Sequence, residues 1–289
     1  MRLPLIVFII LLGIFFIAQC PAENPIVVTV SIPPQKYFVE KIGGERVSVR
    51  VMASSGLFVH AFEPKPQQMV SLNESRIYFA IGLPFEKAWL PRFRSANPAL
   101  RIVETQKGIE KLPMQSPHSH GEETVGHGEP DPHIWLSPAL VKIQAKNILE
   151  ALNESDPQGE AYYRRNYELF IGELNSLDEY IKKTLEGKKG ASFLVFHPAW
   201  GYFAKDYGLE QISVEIEGKN PGPRDMKDIA DMARAKGIRH VFVQPQISPR
   251  LAEVIARSIE GEVVVADPLA ENWRQNLKEV AEKFKIQVK

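Results

Sequence analysis

Thiols are almost missing from this 289-residue chain, whose single cysteine is Cys20. One cysteine excludes an internal disulfide and any cysteine-rich metal site. An excess of either charge is missing too: 35 Lys and Arg stand against 35 Asp and Glu. That balance lacks the basic footprint of a nucleic-acid binder, so no nucleic acid is expected as a partner. The main apolar run, Leu5 to Ile17, is shorter than the ~20 residues a membrane helix needs. HExxH and its relatives are also absent, which removes the usual mark of a metalloprotease.

That apolar run, with Arg2 before it and small residues after it, reads as an export signal. Two processing outcomes fit. Cys20-Pro21-Ala22 matches a cut after Ala22, making 1–22 the signal peptide; Ile17-Ala18-Gln19-Cys20 resembles a lipobox ending at a lipidated Cys20. Gln19 is large for the position before a lipidated cysteine. Either route leaves about 267–270 residues, enough for two domains. The mature protein is expected outside the cytoplasm, periplasmic or held by a lipid on Cys20.

From Ile26 to Val103, β-rich runs (IVVTVS, RVSVRVM, IYFAIG, LRIVET) alternate with helix-patterned segments (PPQKYFVEKIG, KPQQMVSL, FEKAWLPRFRS). Alternation of this kind predicts a parallel sheet flanked by helices. A polar, His-rich loop over 115–130 interrupts it, and Ser137-Pro138 then opens a helix to about Leu152. Beyond Asp156-Pro157, apolar residues at Tyr163, Tyr167, Phe170, Leu174, Leu177, Ile181 and Leu185 form one stripe. They predict about 30 residues of continuous helix, ~45 Å long. FLVF, GLEQISVEI, HVFVQ and EVVVA then repeat the α/β alternation, and a last helix from about Asn272 places Trp273, Leu277, Val280 and Phe284 on one face. The expected architecture is two parallel-sheet α/β lobes, 23–154 and 189–289, joined by a long rigid helix over 155–188.

Three histidines and one aspartate occupy equivalent places, where a strand-like run gives way to a loop or helix. They are His60 in GLFVHAFEP, His133 in DPHIWLSP, His197 in FLVFHPAWGYF and Asp267 in VVVADPLAENW. Their spacing is far too long for a zinc finger, so a shared site must be built where the lobes meet. Loops at the carboxyl ends of parallel strands form the ligand crevice of such sheets. Three imidazoles and a carboxylate suit four-coordinate Zn²⁺. Taken singly, each residue has an ordinary reading: His60 and His197 as loop or core histidines, His133 as a cap for the next helix, Asp267-Pro268 as a strand-ending turn.

The stretches GLFVHAFEPKPQQM, DPHIWLSPALV, FHPAWGYFAKDYGL, IEGKNPGPRDM, FVQPQISPRLAEVIA and ADPLAENW together resemble the zinc and manganese substrate-binding proteins of bacterial ABC importers, specifically the zinc-uptake (ZnuA-like) type. They span nearly the whole mature chain in the family's order. The resemblance implies a metal in the interlobe cleft, held by His60, His133 and His197 with Asp267 in the fourth, carboxylate position. It also implies a membrane permease as partner. A histidine at position 197 resembles zinc-type members, where manganese-type ones carry glutamate. Val59 stands where the family often has proline, Gln244 where it commonly has glutamate, and the disulfide of some zinc-type members is impossible here.

His118, His120 and His127 lie in the polar loop, which reads either as a solvated insertion or as a weak accessory metal collector. Trp135 and Trp200 flank ligand motifs and are expected to pack the cleft walls. Asp131 reads equally as an orienting partner for an imidazole and as a turn residue. His240 reads as structural. The leading expectation is a monomeric, non-enzymatic capture protein that binds Zn²⁺ and delivers it to an importer. Its alternatives are an Mn²⁺- or Fe²⁺-binding importer component, a metal-binding adhesin, and a zinc hydrolase using the same histidines.

Overall fold

Two four-stranded sheets, every pairing parallel, carry the fold. The structure is a computed structural model that describes residues 24–54, 59, 62–114, 129–216, 219–246 and 249–287. In the first lobe β1 (Ile26–Val30), α1 (Pro33–Gly43), β2 (Val47–Val51), α2 (Pro66–Leu72), β3 (Ile77–Ala80), α3 (Pro84–Ala96) and β4 (Arg101–Glu104) follow one another. Two helices come next, α4 (Pro138–Ser155) and α5 (Glu160–Thr184). The second lobe holds β5 (Ser192–Val195), α6 (Gly201–Tyr207), β6 (Glu210–Ser213), α7 (Pro223–Ala235), β7 (His240–Val243), α8 (Pro249–Ser258) and β8 (Glu262–Val265), and α9 (Trp273–Gln287) closes the fold.

The strand orders are β2-β1-β3-β4 and β6-β5-β7-β8, so the lobes share one topology. Each order reverses direction between its two central strands, opening a crevice at their carboxyl ends. Central strands buried on both faces read as continuous apolar runs, and all four residues of β3 are buried. Helices α1, α2, α3, α4 and α7 each open on proline, whose fixed φ suits the first turn and whose missing N–H is not needed there. That punctuation is why strands and helices separate so cleanly in the sequence.

Helix α5 buries Tyr163, Phe170, Leu174, Leu177 and Ile181 along one stripe. Its 25 residues correspond to roughly 37 Å, less than the ~30 residues expected. The shortfall lies at both ends: Pro157–Gly159 form a separate 3-10 turn, and Gly187 turns the chain away at φ 78°. Helix α9 joins the lobes a second time. Trp273 packs edge-on against Phe38 of α1 at 4.9 Å, while Phe284 lies 4.4 Å from Phe193 and 4.6 Å from Phe242 in the second sheet. One apolar core therefore runs from the first lobe through α5 and α9 into one face of the second sheet. The other face of that sheet forms a separate cluster with Ile229, Ala230 and Ala233 of α7 and Ala252, Ile255 and Ala256 of α8.

Candidate metal centre

His197 and His133 meet across the cleft, their Nε2 atoms 3.3 Å apart and their rings inclined at 68°. Both side chains are almost wholly buried. Hydrogen bonding continues past the ends of β5 and β6: Val214 N–H donates to Val195 O at 2.8 Å and Glu215 N–H to Phe196 O at 2.9 Å. That extended register sets Glu215 beside His197, with Oε2 2.5 Å from Nδ1. His133 begins the short 3-10 turn Ile134–Leu136. There Asp131 Oδ1 accepts from the His133 backbone N–H at 2.9 Å and lies 2.7 Å from its Nδ1. Asp131 is thus turn residue and imidazole partner at once.

A carboxylate on Nδ1 fixes the proton there and turns the Nε2 lone pair outward. Two such lone pairs pointed at each other repel, and a cation between them removes the repulsion. The separation also fits: two nitrogens at ~2.05 Å from a tetrahedral zinc lie roughly 3.3–3.4 Å apart. Burial, followed by the fields of His197 and Lys111, holds the His133 pKa well below the ordinary histidine value, so its ring is neutral at pH 7. Burial also pushes Asp131 up to about 7, against the pull of the His133 N–H and of His197 and Lys111. A dication nearby favours the ionised carboxylate, so metal and Asp131 reinforce each other.

Trp135 packs at a tilt against His133, ring centroids 5.1 Å apart and planes inclined at 55°, and donates from Nε1 to Pro268 O at 2.6 Å, tying the Asp267 loop to the His133 turn. Trp273 Nε1 in turn donates to Trp135 O at 2.7 Å. Trp200 packs on Phe203 and Phe284, behind α6. The cap of α4 is Ser137, whose Oγ accepts from Leu140 N–H at 3.1 Å, so His133 is not needed for that task.

Asp267 is differently engaged. Its Oδ1 accepts from Leu269 N–H at 2.9 Å and faces Gln246 Nε2 at 3.4 Å. Among the described residues no third His, Cys, Asp or Glu gathers with His133 and His197 closely enough to form a metal-ligand group. His60 lies outside the described residues, as do His118, His120 and His127. The flanks of His60 are described: Val59 is buried, and Phe62 is buried against Phe85 with ring centroids 5.1 Å apart. The base of the His-rich loop is an antiparallel bridge, Pro113 to Pro130, with Asp131 N–H donating to Leu112 O at 2.8 Å. Tyr202 of α6 bridges that base, accepting from Leu112 N–H at 3.0 Å and donating to Asp131 O at 2.8 Å. His240 sits at the start of β7, away from the cleft end of that strand.

Glu215 is the residue of this candidate site that sequence reasoning passed over. It stands inside QISVEI, which reads as strand alternation, and only the β5–β6 register sets it beside an imidazole.

Comparison with known proteins places the chain in a family. A solved structure described as ZnuA matches with a TM-score of 0.85 and 40% identity, covering 91% of this chain and 99% of that one. A putative metal-binding protein of Chlamydia trachomatis is 29% identical over 258 residues, 89% of this chain and 90% of its own. The high-affinity zinc uptake system protein ZnuA of Bacillus subtilis is 25% identical, over 82% of this chain and 76% of its own. The family profile described as zinc-uptake complex component A, periplasmic, matches residues 28–285, and the chain belongs to that family.

Proposed function

We propose that this chain captures Zn²⁺ outside the cytoplasm, holds it with His60, His133, His197 and Asp267, and delivers it to the membrane permease of an ABC importer. The observation that carries the reading is the pair of buried imidazoles whose Nδ1 atoms are held by Asp131 and Glu215 and whose Nε2 atoms face each other at 3.3 Å. Similarity to zinc-uptake proteins supports the choice of metal. Imidazole donors also favour Zn²⁺ over Mn²⁺ or Fe²⁺ in the ordinary affinity order.

The residues do three things for the cargo. Burial keeps the His133 ring neutral, the carboxylates behind the two imidazoles raise their basicity, and the Trp135 floor excludes water. His60 and Asp267 complete the shell from the loops after β2 and β8. A shell filled by protein has no open position for a reacting water, so the task is binding rather than hydrolysis. Among the described residues no helix is long and apolar enough to cross a membrane. The leader is cut after Ala22 or lipidated at Cys20, and intact mass of the exported chain decides which.

Isothermal titration of the metal-stripped mature chain with Zn²⁺ tests the function. One tight site per chain is expected. No tight zinc binding at neutral pH would falsify the reading.

A further inference from the structure

Helix α6 starts four residues after His197, and it grips the turn that carries His133 at both ends. At one end Tyr202 Oη accepts from Leu112 N–H at 3.0 Å and donates to Asp131 O at 2.8 Å. One helical turn later, Asp206 Oδ2 accepts from the Ser137 hydroxyl at 2.5 Å. Residues four apart share a helix face, so one face of α6 holds the chain on either side of His133. The helix start also comes close. A Cβ at Gly201 would stand 3.1 Å from Asp131 Oδ2, and glycine is what lets the two approach.

The middle of the turn is held from elsewhere. Trp135 ties it to Pro268, and Gln144 Nε2 reaches Ile134 O at 3.4 Å. Those bonds fix the turn to the Asp267 loop and to α4, neither of which carries an imidazole. Helix α6, by contrast, is continuous with His197, whose own setting is braced. Trp200 N–H donates to Gln211 Oε1 at 2.7 Å, and Glu215 meets the His197 ring. The 3.3 Å between the two Nε2 atoms is therefore relayed through one short helix. Tyr202 is buried and its hydroxyl is fully used, its proton on Asp131 O and a lone pair on Leu112 N–H. A phenylalanine would fill the same space and leave both backbone groups without that partner. What the hydroxyl adds is the link.

We propose that Tyr202 is a positioning residue for metal capture: its hydroxyl, with Asp206 as second anchor, sets the spacing of the His133 and His197 rings. A binding constellation loses its hold when its groups drift by more than about 0.5 Å. Loosening α6 should accordingly show in metal binding before it shows in folding. The inference rests on the zinc reading above and adds the device that keeps two of its ligands a bonding distance apart.

Competition with a chelator tests it on the mature chain. Tyr202→Phe should weaken Zn²⁺ about tenfold, mostly through faster dissociation. Co²⁺ is the second probe, because a tetrahedral shell makes it absorb visible light far more strongly than a six-coordinate one; its band should weaken in the variant. Tyr163→Phe is the control. It too loses a buried phenol bond, to Asp156 at 2.7 Å, but beside Arg46 at the amino end of β2. Its zinc affinity should stay within about twofold of the parent. Metal-free melting curves establish folding. If Tyr202→Phe does not fold, Asp206→Ala takes its place, with a loss of about threefold expected. Parent-like zinc affinity and Co²⁺ absorption in the folded variant overturn the proposal. So does an equal zinc loss in Tyr163→Phe, which would make the effect one of general stability. A parent chain that binds no zinc sinks the zinc reading and this inference with it, whereas equal binding by parent and variant removes this inference alone.

Discussion

The two lobes share a strand order but use its crevice in opposite ways. In the first lobe the gap between β1 and β3 is filled from within. Glu86 turns back onto the N–H groups of Ile81, Gly82 and Leu83, and onto Ser31, whose hydroxyl also pairs with Tyr78 at 2.7 Å. In the second lobe the same place after β5 presents His197 outward, and the carboxylate beside it, Glu215, braces a ring instead of the backbone. One buried acid closes a lobe and the other arms it. Topology supplies the opening, and the residue at the strand end decides whether it becomes structure or site.

The sharpest way to break this comparison is to remove the rings. His133→Ala and His197→Ala should each weaken zinc binding at least about a hundredfold, since a donor and the shell geometry go together. His60→Ala should do the same if its loop closes the shell. Calorimetric titration reads all three, and unchanged affinity in any of them removes that residue from the site.

The two acids come next and should separate. Glu86→Gln leaves backbone donors poorly matched, so it should destabilise the fold by about 2 kcal/mol with little change in zinc affinity. Glu215→Gln should weaken zinc roughly 10–100-fold and leave the metal-free melting temperature nearly unchanged. The opposite pairing of effects, in melts and titrations of both variants, would erase the distinction between the lobes.

Acid should act on the metal more than on the fold. His133, with its pKa lowered by burial, binds fewer protons folded than unfolded, so its share of stability is lost as pH falls below about 6.5. Asp131, raised to about 7, does the reverse: its share is fully present below the ordinary carboxyl range and is lost as pH rises towards 7. Between pH 5 and 6.5 these two contributions oppose each other in the metal-free protein. Zinc, however, competes with protons for every imidazole at once. The zinc-induced rise in melting temperature should therefore shrink from pH 7 to 5, and an increment that stays constant would point to a carboxylate-dominated shell. His197→Glu should blunt that acid sensitivity and move relative preference towards Mn²⁺.

The smallest effect is expected from deleting residues 115–128. The bridge between Pro113 and Pro130 would still hold the Asp131 turn, so the tight site should remain and only weaker, additional zinc binding should disappear. Loss of the tight site on deletion would place the loop inside it.

Much of this architecture can be read along the chain. Proline-led helices and short β-branched runs mark the elements of both lobes, because each signal is local. His133 and His197 are legible for a similar reason, standing where apolar runs stop. Glu215 is not. It depends on how β5 and β6 align beyond their ends, a relation between distant segments. Asp267 lies between these cases: its place after β8 is plain, while the bond of its Oδ1 to the Leu269 N–H emerges only from the folded turn. Asp267→Ala should weaken zinc binding, and unchanged affinity in the same titration would remove it from the proposed shell.

Helix α9 carries a last consequence. With Trp273 seated in one lobe and Phe284 in the other, the two halves share a rod whose ends cannot part without tearing aromatic packing from both. Burial of each ring is worth roughly 1.5–3 kcal/mol, a steep toll for a wide swing. A clam-like closing of whole lobes is therefore disfavoured, and the imidazole pair stands preset before any ion arrives. Little ordering is left to do on capture.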